Sequence, residues 1–289
     1  MAEKTGIAWC DSTFNPWLGC TKIGDGCTNC YAEVQDSRKR WDGGKTHWGA
    51  AVPRYRTSAS NWAQPISWNK KAAASRKPRR VFCASLADVF DNEVPCEWRT
   101  DLWNLVVATP NLSWLLVTKR ISNARRMVPI RWWHGEAFPP NVRLLITVCN
   151  QEEADRDIPK LLALPCKNGI SYEPALGPIE WNTWPNRQWL RVVGADGAAV
   201  RGKIEWIIVG GESGPKARPF DVGWARSTIE QCKAAGVPVF IKQLGARPFC
   251  EPSVAAMAHV SGSEASSLTD RAGADPDEWP EDMRVREFP

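Results

Sequence analysis

The sequence predicts an α/β protein built on a parallel sheet, in the form of a complete or partial (β/α) barrel. Three observations carry this. Short, wholly apolar runs recur along the chain, stretches of helical apolar spacing separate them, and each run ends in polar residues. Parallel strands covered on both faces read as continuous hydrophobic runs rather than as alternating ones. A doubly wound open sheet is the competing topology. In either arrangement ligands gather at the C-terminal ends of the strands.

Residues 6–18 begin like a short strand and end in a loop; a cysteine-bearing loop follows over 19–31, and Tyr31–Trp41 reads as a helix. Residues 42–68, rich in Gly, Ser, Pro and Trp, read as irregular or interrupted. The apolar runs then start at Val81–Ser85, with Trp98–Ala108 helical behind it. Trp114–Arg120 is the second run, followed by a short helix over 122–128. Val142–Asn150 is the third, followed by the acidic-started helix Glu152–Leu164. Gly169–Glu173 is stopped by Pro174, and Trp206–Ser213 precedes a helix over 221–235 that Gly236 ends. Val237–Gln243 is the sixth run. Residues 184–203 look like an inserted hairpin or loop. The stretch 251–289 is low in apolar content and reads as a partly disordered tail, whose end, Trp279–Pro289, suits docking on the body. Residues 1–250 are accordingly read as the barrel domain.

A chain of 289 residues can bury a full core. Hydrophobic content of 43% and charged content of 24% are ordinary for a water-soluble globular protein. No uncharged apolar run reaches about 18 residues, so no membrane span is expected. The start of the sequence lacks an apolar leader core, which points to the cytoplasm. Ten cysteines there read as free thiols or ligands rather than bridges. Net charge is +5, a weak pointer to an anionic partner. The distribution says more. Residues 69–80 carry six positive charges and no negative one, and Lys119, Arg120, Arg125, Arg126 and Arg131 precede Trp132, Trp133 and His134. Basic groups beside aromatic faces, in a chain with 17 Trp, suit a nucleic-acid backbone and a stacked base. The plainer reading is a solvated helix face and core tryptophans.

The cysteine loop carries the most specific chemistry. Cys20, Cys27 and Cys30 fall within eleven residues, with Gly19, Gly24 and Gly26 beside and between them. Three thiolates on one glycine-bearing loop can converge on one metal centre. Structural zinc prefers four protein ligands, and Cys10 offers a fourth thiolate. A cubane iron–sulfur cluster held by three thiolates instead leaves one iron open to a further ligand. Spacing alone leaves both metals open. Haem attachment is not supported, because Tyr31 stands where the motif needs His. The strand ends supply further candidates: Ser85 and Asp88; Thr118, Lys119 and Arg120; Cys149, Asn150 and Gln151; Ser171 and Glu173; Glu212 and Ser213; Lys242 and Gln243.

Several segments together resemble a known family. They are Asn15-Pro16 with Gly19-Cys20 and Gly26-Cys27-Thr-Asn-Cys30-Tyr31-Ala32, Ser85-Leu-Ala-Asp88, Leu116-Val-Thr-Lys-Arg120, Asn150-Gln151, Ser171-Tyr-Glu-Pro174, Gly210-Gly-Glu-Ser-Gly214 with Ala217-Arg-Pro219, and Lys242-Gln243. In this order the chain resembles phage and prophage proteins defined by a three-cysteine motif and related to radical-SAM enzymes. The resemblance implies a partial (β/α) TIM-like barrel of the radical-SAM type with an irregular N-terminal cysteine loop. It implies a [4Fe-4S] cluster on Cys20, Cys27 and Cys30, with S-adenosyl-L-methionine on the open iron. Cofactor-binding roles fall to Gly210, Gly211, Glu212, Ser213, Ser85, Asp88 and Asn150, with Gly210 and Gly211 letting backbone approach the cofactor closely. Catalytic roles fall to Cys149, Glu173 and Lys119. Two departures stand out. The usual radical-SAM spacing is C-x3-C-x2-C, and here it is C-x6-C-x2-C. Cys149 also stands where relatives are expected to carry Glu, which suits either a hydrogen-atom donor or a buried apolar thiol.

The expected substrate is DNA or a nucleotide, with a modified nucleobase rearranged as in the isomerase step of phage DNA hypermodification. An external electron donor such as flavodoxin is the expected redox partner. A zinc-stabilised, non-catalytic nucleic-acid- or partner-binding protein is the alternative. A radical-SAM enzyme acting on a peptide or small metabolite is a third reading.

Overall fold

A computed structural model describes residues 2–38, 41–134, 137–183, 187–190, 204–250 and 268–289. The chain divides into two compact units. The first comprises Met1–Ile146 with Leu164–Lys167, the second Thr147–Ala163 with Asn168–Pro289. The class is α/β with parallel strands, as the apolar runs require.

In the first unit β1 (Ser12–Thr13) is followed by β2 (Trp17–Leu18), the helix α1 (Tyr31–Ser37), β3 (Tyr55–Arg56), α2 (Ala59–Ser75) and β4 (Arg79–Cys83). Then come α3 (Cys96–Ala108), β5 (Leu112–Thr118), α4 (Ile121–Met127), the single turn α5 (Arg131–His134) and β6 (Val142–Thr147). The parallel order is β1-β4-β5-β6, with Ser12 opposite Val81, Val81 opposite Trp114 and Trp114 opposite Val142. Burial along β4, β5 and β6 is nearly continuous, the mark of strands covered on both faces. Phe14 fills the layer beneath, edge-on to Trp62 and Trp114.

The helix α2 departs from the expected irregular stretch over 42–68. Ser58 caps it by accepting from Asn61 N at 3.3 Å. Its buried positions are Asn61, Pro65, Trp68 and Ala72, a stripe of helical spacing. Pro65 lies inside the helix and forfeits one backbone donor, and that proline is what disguised the pattern. Packing of Trp68, 2% exposed, outweighs the local cost. The basic run 69–80 is therefore split between the last turn of α2 and the start of β4. Lys71 and Arg79 pair with Glu3, and Arg80 with Asp11.

In the second unit α6 (Gln151–Leu162) and β7 (Lys167–Tyr172) precede the hairpin strands β8 (Asn182–Thr183) and β9 (Arg187–Gln188). After them come β10 (Ile207–Gly210), β11 (Phe220–Asp221), α7 (Val222–Ala235), β12 (Val239–Gln243) and β13 (Pro248–Phe249). The parallel order is β7-β10-β12, with Ile207 opposite both Ile170 and Val239. Asn150 caps α6, accepting from Glu153 N at 3.0 Å, while Glu153 Oε2 accepts from Cys149 N at 2.8 Å, a reciprocal cap. Gly236 ends α7 with φ of 63°. Residues 184–186 and 191–203 of the expected insertion, and 251–267 of the expected disordered tail, lie outside the described residues. The chain end lies along β12: Ile241 N donates to Val285 O at 2.8 Å and Glu287 N to Val239 O at 3.0 Å. Trp279 and Met283 are buried, and Phe288 meets Trp206 and Phe240. This covers a strand edge that would otherwise offer unpaired backbone groups.

Six tryptophans, Trp17, Trp68, Trp114, Trp181, Trp206 and Trp279, are among the largest fully buried side chains. Trp132 of the second basic cluster is also core, edge-on to Trp103. Much of the aromatic content thus fills the interior rather than a base-stacking surface. Among the described residues no helix is long and apolar enough to cross a membrane.

Candidate active site

In the first unit the cysteine loop sits on the C-terminal ends of β4 and β5. Gly19 N donates to Leu86 O at 3.1 Å, and Gly19 bridges Ala87 in parallel fashion, just beyond β4. Gly19 has φ of +104°, and a Cβ there would lie 2.2 Å from His47 O, so only glycine is accommodated. Between Cys20 and Cys27 the chain runs irregularly to Gly24 and then makes one 3-10 turn over Asp25–Cys27, with Cys27 N donating to Gly24 O at 2.9 Å. Cys30 stands at the N-cap of α1, and the Tyr31 hydroxyl donates to Ser85 O at 2.6 Å. Cys20 and Cys30 are half-buried, Cys27 is buried, and all three thiols are free.

Beneath the loop lies a buried polar hub. Arg120 Nη1 donates to Cys20 Sγ at 3.2 Å and to Asp88 Oδ2 at 3.3 Å, and Nη2 donates to Thr21 O at 2.6 Å. Asp88 also accepts from Thr118 Oγ1, Phe90 N and Lys119 N at 2.8–3.0 Å. Arg54 donates from Nε to Asp91 Oδ2 at 2.8 Å and from Nη2 to Thr21 Oγ1 at 2.7 Å, while its Nη1 holds the carbonyls of His47, Gly49 and Val52. Asp36 accepts from Thr46 Oγ1 and His47 N, which straps that segment against the loop. Burial pushes the Cys20 thiol up to about 12, partly opposed by the Arg120 guanidinium. A bound metal, not the protein alone, is therefore what would draw the proton off this sulfur.

Among the described residues no three His, Cys, Asp or Glu side chains close on a single ion. A cubane places each thiolate on a different iron, so its ligands stand further apart than those of one zinc. The free thiols, their burial and the cationic donor on Cys20 are compatible with such a cluster.

In the second unit the ends of β7, β10 and β12 come together. Lys242 Nζ lies 2.8 Å from Glu173 Oε1. This ion pair holds the Glu173 carboxylate at the end of β7, with the Lys242 ammonium as its charged partner. Ser171 Oγ donates to Glu173 Oε2 at 3.4 Å. A Cβ on Gly210 would meet Glu173 Oε1 at 2.9 Å, and one on Gly211 would meet Leu244 O at 2.6 Å. Gln243 Nε2 donates to Gly211 O at 2.7 Å. Bare backbone beside a carboxylate suits the close approach of a polar ligand. An open cleft of about 1080 Å³ adjoins the loops after β10 and β12, with Arg247, Phe249 and Arg271 on its wall.

The remaining sequence candidates take these places. Ser85 Oγ accepts from Asn15 Nδ2 at 2.9 Å. Lys119 is half-buried beside Asp88, and Asn150 serves as the α6 cap. Glu212 is held by Arg218, whose N, Nε and Nη2 all donate to its carboxylate within 3.1 Å. Ser213 is exposed, and Cys149 is 0% exposed. Arg54 and Asp91 were not legible as site residues, whereas Arg120 was read both as a strand-end candidate and as part of a basic cluster. The side chains that Arg54 and Arg120 pair with, Asp91, Thr21 and Cys20, lie 30 or more residues away, so no local pattern announces the pairing.

The fold and the site define an α/β protein with three free cysteines on a loop at the C-terminal ends of parallel strands. The chain belongs to the family described as Protein of unknown function (DUF5131), whose model matches residues 4–272. None of the curated proteins matches it. Two solved structures of mutant spore photoproduct lyase are similar. One, with bound AdoMet and dinucleoside spore photoproduct, is 13% identical with a TM-score of 0.39, over 56% of this chain and 45% of that one. The other is 14% identical with a TM-score of 0.41, over 60% and 48%. The chain spans about half the length of these structures.

Proposed function

We propose that this chain is a radical S-adenosylmethionine enzyme acting on a nucleobase or nucleotide. The observation that carries the reading is the seating of Cys20, Cys27 and Cys30, all free, on one loop at the ends of β4 and β5. When bound, a [4Fe-4S] cluster with S-adenosylmethionine supplies one-electron cleavage of the cofactor's sulfonium bond, and with it hydrogen-atom abstraction from a substrate C–H. The thiolates of Cys20, Cys27 and Cys30 would hold the cluster. Gly210 and Gly211 leave backbone bare for close approach, and the Glu173 carboxylate stands beside Gly210 as a candidate acceptor for an ammonium group. Lys242 positions that carboxylate. Arg247 and Arg271 beside Phe249 give the adjoining cleft cations and an aromatic face, which suits a phosphate and a base. Within radical-SAM chemistry an isomerase step on a modified thymidine is the favoured reaction, with lyase or other transferase chemistry as the alternatives. A fully buried Cys149 needs local opening before it can donate a hydrogen atom.

Anaerobic isolation tests the reading. The expected protein is brown, with near-stoichiometric iron and sulfide, and forms 5′-deoxyadenosine from S-adenosylmethionine and a reductant. Cys27→Ala abolishes both. A colourless protein holding one zinc, or a Cys27→Ala protein that keeps its iron and its cofactor cleavage, overturns it. Binding to DNA should weaken steeply with salt, and an affinity flat from low to moderate salt removes the nucleic-acid part.

A further inference from the structure

We propose that Arg120 is a positioning residue that sets the reduction potential of the metal centre through Cys20, with Asp88 as its counterweight. The inference rests on the cluster reading above. Arg120 is held from three sides. Its backbone N donates to Thr118 Oγ1 at 2.8 Å, its Nη2 to Thr21 O at 2.6 Å, and its Nη1 is shared between Cys20 Sγ at 3.2 Å and Asp88 Oδ2 at 3.3 Å. Thr118 donates onward to Asp88 Oδ1 at 2.8 Å. A guanidinium so anchored does not swing away, and its side chain is 7% exposed. Water therefore screens little of its field.

Reduction adds one negative charge to a thiolate-held cluster. A fixed cation and an N–H donor on a ligand sulfur stabilise the reduced form more than the oxidised one, and so raise the potential. Asp88 opposes this, being an anion bonded to the same Nη1. The step is a one-electron transfer from an external low-potential donor of the reduced-flavodoxin class. No bond forms or breaks, and no proton moves, because a guanidinium stays charged throughout. Arg120 thus eases electron entry, and Asp88 keeps the centre low enough to reduce a sulfonium. A lysine at position 120 would keep the charge but lose the planar fork that reaches Cys20, Thr21 and Asp88 together.

The test uses the full chain isolated anaerobically, with iron and sulfide measured first and the midpoint potential then read by EPR-monitored redox titration. The expected result is a more negative midpoint for Arg120→Met and a more positive one for Asp88→Asn, at wild-type iron content. Should Arg120→Met fail to assemble, the sign of the Asp88→Asn shift decides alone. Wild-type midpoints in the variants that assemble, or shifts of the same sign in both, overturn the inference while leaving the cluster intact. Wild-type protein without iron and sulfide overturns the cluster reading itself, and this inference with it.

Discussion

Replacing Asp88 with alanine removes an acceptor shared by four donors. Its Oδ1 takes Thr118 Oγ1 and Phe90 N at 2.8 and 2.9 Å, and its Oδ2 takes Lys119 N and Arg120 Nη1 at 3.0 and 3.3 Å. Asp88 is 5% exposed and Arg120 9%, so water reaches neither easily. Stranding one partner of a buried ion pair costs about 3–5 kcal/mol, and a buried donor left without an acceptor costs about 1–3 kcal/mol. These losses share one site and do not simply add. The expected destabilisation is therefore about 3–5 kcal/mol, set by the stranded guanidinium. The double variant Asp88→Ala/Arg120→Met removes that charge as well, and should recover roughly 1–3 kcal/mol of the loss. Urea denaturation of the metal-free protein, followed by tryptophan fluorescence, measures both. A loss below about 1 kcal/mol for the single variant, the range of exposed pairs, would refute the argument. So would a double variant no more stable than the single one.

Three further predictions follow from other parts of the fold. Gly211→Ala drives a Cβ to 2.6 Å from Leu244 O and 2.9 Å from Phe220 Cβ, and should cost roughly 1–3 kcal/mol in urea denaturation; an unchanged midpoint would mean that this backbone approach is loose. Trp279→Ala empties a site that is 2% exposed and should cost about 3–5 kcal/mol, with faster proteolysis of the chain end; proteolysis at the wild-type rate would show that the end is held elsewhere. Burial raises the Cys232 thiol to about 12 and pushes Cys83 and Tyr172 up in the same direction. These groups are neutral when protonated and hold their protons more tightly folded than unfolded, so their contribution is full below about pH 9 and is lost as pH climbs toward 12; equal urea midpoints at pH 8 and pH 10.5 would contradict this.

The periodic parts of the fold were legible because burial leaves a local trace. The runs at 81–85, 114–120, 142–150, 169–173, 206–213 and 237–243 each overlap a parallel strand, and Gly236 ends α7 as its position implies. The helix α2 escaped because Pro65 and a polar, Trp-bearing composition hid a stripe whose apolar content is only partial. The tryptophans pointed outward in composition and inward in space, since a large ring buries as readily as it stacks on a base.

The amino-acid order by itself determined where parallel strands form, that three cysteines share one glycine-bearing loop, and that the runs end in polar residues. Each follows from spacing within a dozen residues, which the backbone enforces wherever the chain goes. Only the tertiary structure decided that Arg120 lies under Cys20, that Arg54 ties Thr21 to Asp91, and that Glu212 belongs to Arg218 while Glu173 belongs to Lys242. Charge pairing depends on distance in space, and the fold sets that distance between groups up to a hundred residues apart.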